Sequence, residues 1–360
     1  MPGAERGVDV ERIVLAYSGG PGSSAATRGL AEKYEAEIIT VTLDLGQRQD
    51  LEDVRDRALA SGATRAHVLD AREEFARDYV LPSLKAGALN AQGMSGDRFP
   101  MTTALSRPLI ARKLVEIASI EHAAAVAHAE ADPSRLDVAL RALGTHLEVI
   151  AASPGRRLST VSDRTCRIES NLWGRTIGPG EPGTAANPDR AASEDTYLLT
   201  KAPHDCPAEP ASVEIAFERG VPSAINGISM PFVELIGNLA IIAGAHGVGR
   251  GPGCEAPAAA VLHAAHAELQ NHVTTADTRR FTRTVGLQYG EIVHNGQWFT
   301  PLREALDAFV ESVQSRVTGV VRLKLFKGEI SLVGLVCQAG QVGQDEAHGT
   351  HPACLSPREA

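Results

Sequence analysis

Three observations predict an α/β chain of two domains. Short apolar, β-branched runs alternate with helical patterns from residue 12 to about residue 151, as in a parallel sheet wrapped by helices. A Gly/Ser loop follows the first run, in RIVLAYSGGPGSSAA at 12–26. Beyond a stretch rich in Pro, Gly, Ser and Arg at 153–195, strands and helices mix, so a boundary lies there and an α+β half follows it.

In the first half, RIVLAY (12–17) places Ile13, Val14 and Leu15 in a buried parallel strand. EIITVTLDLG (37–46), RAHVLD (65–70), AAAVAH (123–128) and LEVIAA (147–152) read as its neighbours. Helical spacing marks SSAATRGLAEKY (23–34), DLEDVRDRALASG (50–62) and AREEFARDYVLPSLKAGAL (71–89), the second with Asp50 as cap and Gly62 as stop. In the second half, ASVEIAFERGVPSAING (211–227) reads as two strands around a turn at Arg219 and Gly220, and FVELIGNLAIIAGAHG (232–247) as an apolar helix closed by Gly244 or Gly247. PAAAVLHAAHAELQNHVTT (257–275) and PLREALDAFVESVQSRV (301–317) are helices, and GVVRLKLFKGEISLVGL (319–335) is a hairpin bent at Lys327 and Gly328. From Cys337 onward little periodic apolar content remains, and a disordered tail is expected over 337–360.

A net charge of -9 leaves no basic field for a nucleic-acid backbone, so nucleic acid is not an expected partner. The opening MPGAERGVDVER lacks the apolar core of a signal peptide and no segment sustains the length of a membrane span, which predicts a cytoplasmic protein without membrane contact. Five scattered cysteines, with no CxxC pairing, predict neither disulfides nor a zinc site. Among twelve histidines, His263 and His266 stand at i, i+3 without a nearby third ligand, and His204, His348 and His351 fall in loops or the tail, so no metal held by protein ligands is expected.

The loop after the first strand has the makings of an anion cradle. Gly19, Gly20 and Gly22 let the backbone approach a ligand, free N–H groups at the next helix start favour phosphate, and Ser18, Ser23 and Ser24 add hydroxyl donors. The alternative is an ordinary βα turn. Asp44 and Gln47, at the end of the second strand, point to the same crevice beyond the carboxyl ends of a parallel sheet, or Asp44 serves as a helix cap. His128 ends its strand and either faces a nucleotide or is a structural residue.

Read together, AYSGG (16–20), LDLGQ (43–47), SRPLIARKLVEIA (106–118), AVAH (125–128), SNLWGRT (170–176), AINGISMPFVELI (224–236), HGVGR (246–250), NGQWFTPLREALDAF (295–309) and RVTGVVRLKLFKG (316–328) resemble the argininosuccinate synthase family, in its usual order and nearly to residue 335. The resemblance implies an ATP-pyrophosphatase domain of the adenine nucleotide alpha hydrolase-like type over 1–152, a synthetase domain over 165–336, and a homotetramer. It implies a ligase that uses ATP and Mg2+ to adenylate the ureido oxygen of citrulline, releasing pyrophosphate. The amine of aspartate then displaces AMP to give argininosuccinate, in arginine biosynthesis. Onto this sequence it carries Ala16, Tyr17, Ser18, Gly19, Gly20, Ser23, Ser24, Asp44 and Gln47 as ATP-binding residues, and Thr102, Thr103, Arg107, Arg175, Thr176 and Glu255 as substrate-binding ones.

Departures from the family fall on the chemistry. Its SGGLDTS loop is SGGPGSS here, so Pro21 and Gly22 replace a Leu and the Asp that sits with the pyrophosphate and its metal. Where the family carries TGKGNDQVRFE, this chain has AVAHAEADPSRLDVALR (125–141), and by register Ala131, Arg135, Leu136 and Ala139 stand at the Thr, Asn, Asp and Arg that hold aspartate and citrulline. The run after HGVGR is shortened to GPGCEAPAA, Phe99 replaces a Tyr near citrulline, and the family's C-terminal clasping helix has no counterpart. Two readings follow: a ligase, with the usual or changed substrates, or a catalytically impaired paralogue that binds nucleotide or regulates.

Overall fold

The computed structural model describes residues 10–88, 101–130, 133–144, 146–152, 167–178, 196–251 and 253–337. They group into two units, the first within Met1–Arg72, Ser106–Thr165 and Asn295–Thr300, the second within Glu73–Leu105, Cys166–His294 and Pro301–Ala360. The tail expected beyond Cys337, and most of the boundary stretch at 153–195, lie outside the described residues.

The first unit begins β1 (Arg12–Ala16), α1 (Pro21–Tyr34), β2 (Glu37–Asp44), α2 (Leu51–Ala60) and β3 (Arg65–Asp70). Asp50 caps α2 as expected, accepting from the backbone N–H groups of Glu52 and Asp53, and Gly62 follows the helix at φ +98°. α3 (Arg72–Phe75), a π-helical turn (Ala76–Val80) and α4 (Leu81–Lys85) come next in the chain. From Glu73 on they belong to the second unit, although the sequence sets this helix among the strands of the first. The cause is its apolar circumference: Phe75, Tyr79, Val80 and Leu84 are all fully buried, and Lys85 Nζ reaches Glu311 of the second unit at 2.7 Å.

Then α5 (Ser106–Ile120), β4 (Ala125–His128), α6 (Pro133–Ala142) and β5 (Glu148–Ala151) complete the first unit's sheet, ordered β3-β2-β1-β4-β5 with every pairing parallel. Ile13 and Leu15 of β1, Ile38 of β2, and Ala125 and Ala127 of β4 pack with Ala26 and Leu30 of α1 as one core. Strand order reverses between β1 and β4, and a crevice at such a switch point, beyond the carboxyl ends, is where open α/β sheets bind ligands.

Glu121, just past α5, is buried and ties this sheet to its edge: its carboxylate meets Arg65 and, at 2.7 Å, His67, while its carbonyl accepts from Arg12. Burial alone would raise the Glu121 carboxyl, but the His67 hydrogen bond and the charges of Arg65 and His67 outweigh it and hold the group below its ordinary value. A carboxyl lowered on folding contributes stability that is complete above the unfolded value, about 4.3, and lost as pH falls through the folded one. Urea unfolding of Glu121→Gln is therefore expected to show a lower midpoint than the unsubstituted chain near pH 7 and a smaller loss on acidification.

The second unit contains β6 (Arg167–Asn171), β7 (Gly174–Gly178), β8 (Ala211–Glu218), β9 (Val221–Ile225), β10 (Ile228–Ser229), α7 (Phe232–Ala245), β11 (Arg250–Gly251), β12 (Cys254–Glu255), α8 (Pro257–Val273), α9 (Ala276–His294), α10 (Pro301–Gln314), β13 (Gly319–Phe326) and β14 (Glu329–Cys337). Two antiparallel sheets form, ordered β10-β9-β8-β13-β14 and β11-β12-β7-β6. Both expected turns are present, with Arg219 and Gly220, and Lys327 and Gly328, at positive φ. α7 closes at Gly247 rather than Gly244: the N–H of Gly247 bonds Gly244 and that of Val248 bonds Ala243, the paired bonds of a glycine-terminated helix. The β6–β7 hairpin and the nineteen-residue α9 are elements that the sequence patterns do not anticipate. No helix among the described residues is long and apolar enough to cross a membrane.

Candidate active site

The loop leaving β1 lies at the switch point. Tyr17 extends the strand by donating its N–H to the Val41 carbonyl, and its hydroxyl lies 2.7 Å from Ser24 Oγ across the loop. Gly19 stands at φ +78°, and a Cβ there would come within 2.9 Å of Val54, so this backbone suits glycine alone. Its carbonyl accepts from Arg57 of α2 at 2.8 Å, a clamp that no sequence motif announces. Gly20 is the N-cap of α1 in extended conformation, Pro21 is the first helical residue, and no side chain caps this end. Ser23 Oγ donates to the Gly20 carbonyl and Ser18 Oγ lies 3.5 Å from Ser23 Oγ. Ala16, Tyr17, Ser18, Gly19, Gly20, Ser23 and Ser24 thus come together around an uncapped helix start whose N–H groups and dipole favour an anion.

Asp44 and Gln47 sit at the end of β2 and shape their own turn. Asp44 Oδ1 accepts from the Gly46 N–H at 2.8 Å, Gln47 Oε1 accepts from Leu45, and Gln47 Nε2 donates to the Leu43 carbonyl. Arg72 Nε lies 3.4 Å from Asp44 Oδ2. The first turn of α1 holds no acidic residue, and among the described residues no group of three or more His, Cys, Asp or Glu is placed to hold a metal. The start of α1 therefore suits a phosphate chain, and its own first turn adds no carboxylate beside it.

Beyond β4, His128 and Arg107 are already partnered. His128, buried at the strand end, has Nε2 2.8 Å from Asp137 Oδ1 of α6, and its Nδ1 has no hydrogen-bond partner among the described residues. Arg107 Nε lies 3.1 Å from Glu130 Oε2. Leu136 and Ala139 of α6 have no solvent exposure at all. Position 131 lies outside the described residues.

In the second unit, Thr102 and Thr176 place their hydroxyls 2.6 Å apart, with Thr103 half-buried beside them. Asn171 in the β6–β7 turn donates to the Thr102 carbonyl and accepts from the N–H of Trp173, fixing that contact. Arg175 and Glu255, paired in register across β7 and β12, form a buried ion pair. Glu255 also accepts from the N–H groups of Leu198, Leu199 and Thr200 and from the Thr200 hydroxyl, while Arg175 donates to the Thr196 carbonyl. Both of these groups are spent inside the fold.

A parallel-sheet domain with a glycine-rich loop at its switch point, joined in one chain to an antiparallel α+β unit, defines a two-unit α/β protein whose ligand crevice lies beyond the strand ends. Residues 12–169 match the family model described as arginosuccinate synthase N-terminal HUP domain, and residues 166–340 the one described as arginosuccinate synthase C-terminal domain. The chain is 42% identical over 357 residues to argininosuccinate synthase of Rubrobacter xylanophilus, covering 90% of this chain and 85% of that one. It is 38% identical over 359 residues to that of Caldanaerobacter subterraneus subsp. tengcongensis, covering 90% and 85%. A solved NAD+ synthetase from Burkholderia pseudomallei aligns over 33% of this chain and 52% of its own at 23% identity and a TM-score of 0.23. The chain belongs to the argininosuccinate synthase family.

Proposed function

We propose that this protein binds ATP in the β1–α1 cradle and has lost the family's efficient conversion of citrulline and aspartate to argininosuccinate. One observation carries this reading: Leu136 and Ala139, which stand in register with the family's substrate-holding Asp and Arg, are fully buried in α6 and have no polar group to offer. ATP–pyrophosphate exchange driven by citrulline is its test. Thr102, Thr103 and Thr176 keep hydroxyls suited to a polar substrate, whereas Arg107, Arg175 and Glu255 serve as internal anchors. A second reading, a ligase with a changed amino-acid substrate, is favoured by the paired Glu130 and Asp137: the segment has been rebuilt with partnered polar groups. In either case the protein acts in the cytoplasm on small molecules.

Magnesium would enter with the nucleotide, held by phosphate oxygens. A Cβ at Gly22 would meet nothing within 4 Å, so Gly22→Asp restores a carboxylate in the first turn of α1 without a clash. Calorimetry is expected to show the variant binding ATP more tightly with Mg2+ than without it, by roughly tenfold, because the new carboxylate repels bare triphosphate and attracts the ion. The unsubstituted chain should show a smaller Mg2+ dependence.

A further inference from the structure

A cavity of about 330 Å³ lies in the second unit between α8 and α9, walled by His263, His266 and Gln270 on one side and Arg279 and Arg283 on the other. Among the described residues no carboxylate lines it, in a chain whose net charge is -9. Around His266 the polar groups close on one another. His266 Nε2 is 2.8 Å from Gln314 Oε1, and the Gln314 amide donates to Gln270 Oε1 and to the Lys85 carbonyl. His263 is different: it is 9% exposed, its ring stands edge-on to Trp173 at 5.9 Å, and neither ring nitrogen has a hydrogen-bond partner among the described residues. Arg279 donates to the Asn271 carbonyl, whereas Arg283, one turn further along α9, is solvent-exposed at the cavity mouth and has no hydrogen bond or ion pair among the described residues.

We infer that this cavity is a binding site for a small anion, a carboxylate- or phosphate-bearing metabolite whose oxygens accept from the Arg283 guanidinium and from an N–H of His263. Without a partner among the described residues, and not among the buried polar atoms left unsatisfied there, the His263 ring nitrogens stay open to a ligand or water entering the cavity. Burial, and then the neighbouring His266, hold His263 neutral by pushing it down to about 3, so the ring offers one N–H and keeps one acceptor. Arg283 supplies the charge-assisted, forked donor that suits carboxylate or phosphate. The volume is at the small end of metabolite sites, which fits a compact anion and not a nucleotide. This inference is independent of the ATP cradle, which belongs to the first unit.

Histidine side-chain NMR on the full chain, with the His263 signal assigned from His263→Gln, tests it by titration with inorganic phosphate and, separately, succinate. At least one probe is expected to move the His263 signal saturably, and the tighter of the two identifies the headgroup. Arg283→Ala should weaken that binding roughly tenfold or more. Arg280→Ala, which removes a neighbouring charge of α9 outside the cavity wall, should leave it unchanged and controls for general electrostatics. The inference is overturned if neither probe moves the signal saturably up to tens of millimolar. A response that survives Arg283→Ala at full strength overturns it equally.

Discussion

Supplied with ATP, Mg2+ and citrulline, the purified protein is expected to exchange pyrophosphate into ATP at least about a thousandfold more slowly than a relative with an intact substrate segment. The size follows from the polar partners that the two amino acids no longer find in α6. Each such partner withdrawn from a buried substrate group costs about 1–3 kcal/mol, and every 1.4 kcal/mol is about tenfold, so three or four withdrawals compound to roughly three decades or more. Arg135, Leu136 and Ala139 all stand in α6 where the family's Asn, Asp and Arg hold citrulline and aspartate. Two of the three are buried apolar side chains that no rotamer change could turn toward a ligand. Arg107 keeps its charge but directs it to Glu130. Exchange at the relative's rate would refute this account of α6; exchange with another ureido or carboxylate compound would select the changed-substrate reading.

Removing the Glu255 carboxylate is the second large effect. Its oxygens accept from three backbone N–H groups, the Thr200 hydroxyl and the Arg175 guanidinium, all inside the fold. Glu255→Ala strands those donors and leaves Arg175 a buried cation with the Thr196 carbonyl as its remaining named partner. Breaking such a pair from one side costs about 3–5 kcal/mol, because the surviving charge stays desolvated. Urea unfolding should register that loss. The double variant Arg175→Ala with Glu255→Ala should lose less than the sum of the two single changes, since removing both partners leaves no isolated charge. A single-variant loss under about 1 kcal/mol would mean that the pair is solvated in solution.

Much of this arrangement is legible in the residues themselves. β1 to β5 follow from β-branched runs, the α2 cap from Asp50, and the two hairpin bends from Arg219–Gly220 and Lys327–Gly328. The glycine-rich β1–α1 loop at the switch point follows from AYSGG at the end of an apolar strand, and the family from collinear segments that the matches to both family models bear out. α9 is harder to see because three threonines and two glycines weaken its helix propensity, even though Thr282, Val285, Tyr289 and Val293 recur at helical spacing on its buried face. Gly286 makes sense only in three dimensions, where a Cβ would meet the Ala86 carbonyl at 2.8 Å. The attachment of α4 to the second unit is equally silent in sequence, since apolar periodicity says that a helix is buried but not against what. The same limit hides Arg57, which clamps the cradle from thirty-eight residues away, and Asp137, whose partner His128 belongs to a different element.

Calorimetric titration of the full chain, first with ATP and Mg2+ and then with citrulline added to the ATP-saturated protein, tests the central claim most directly. The account predicts a saturable heat from the nucleotide and none from citrulline at millimolar concentrations. Absence of the nucleotide heat, or tight citrulline binding on top of it, would contradict it.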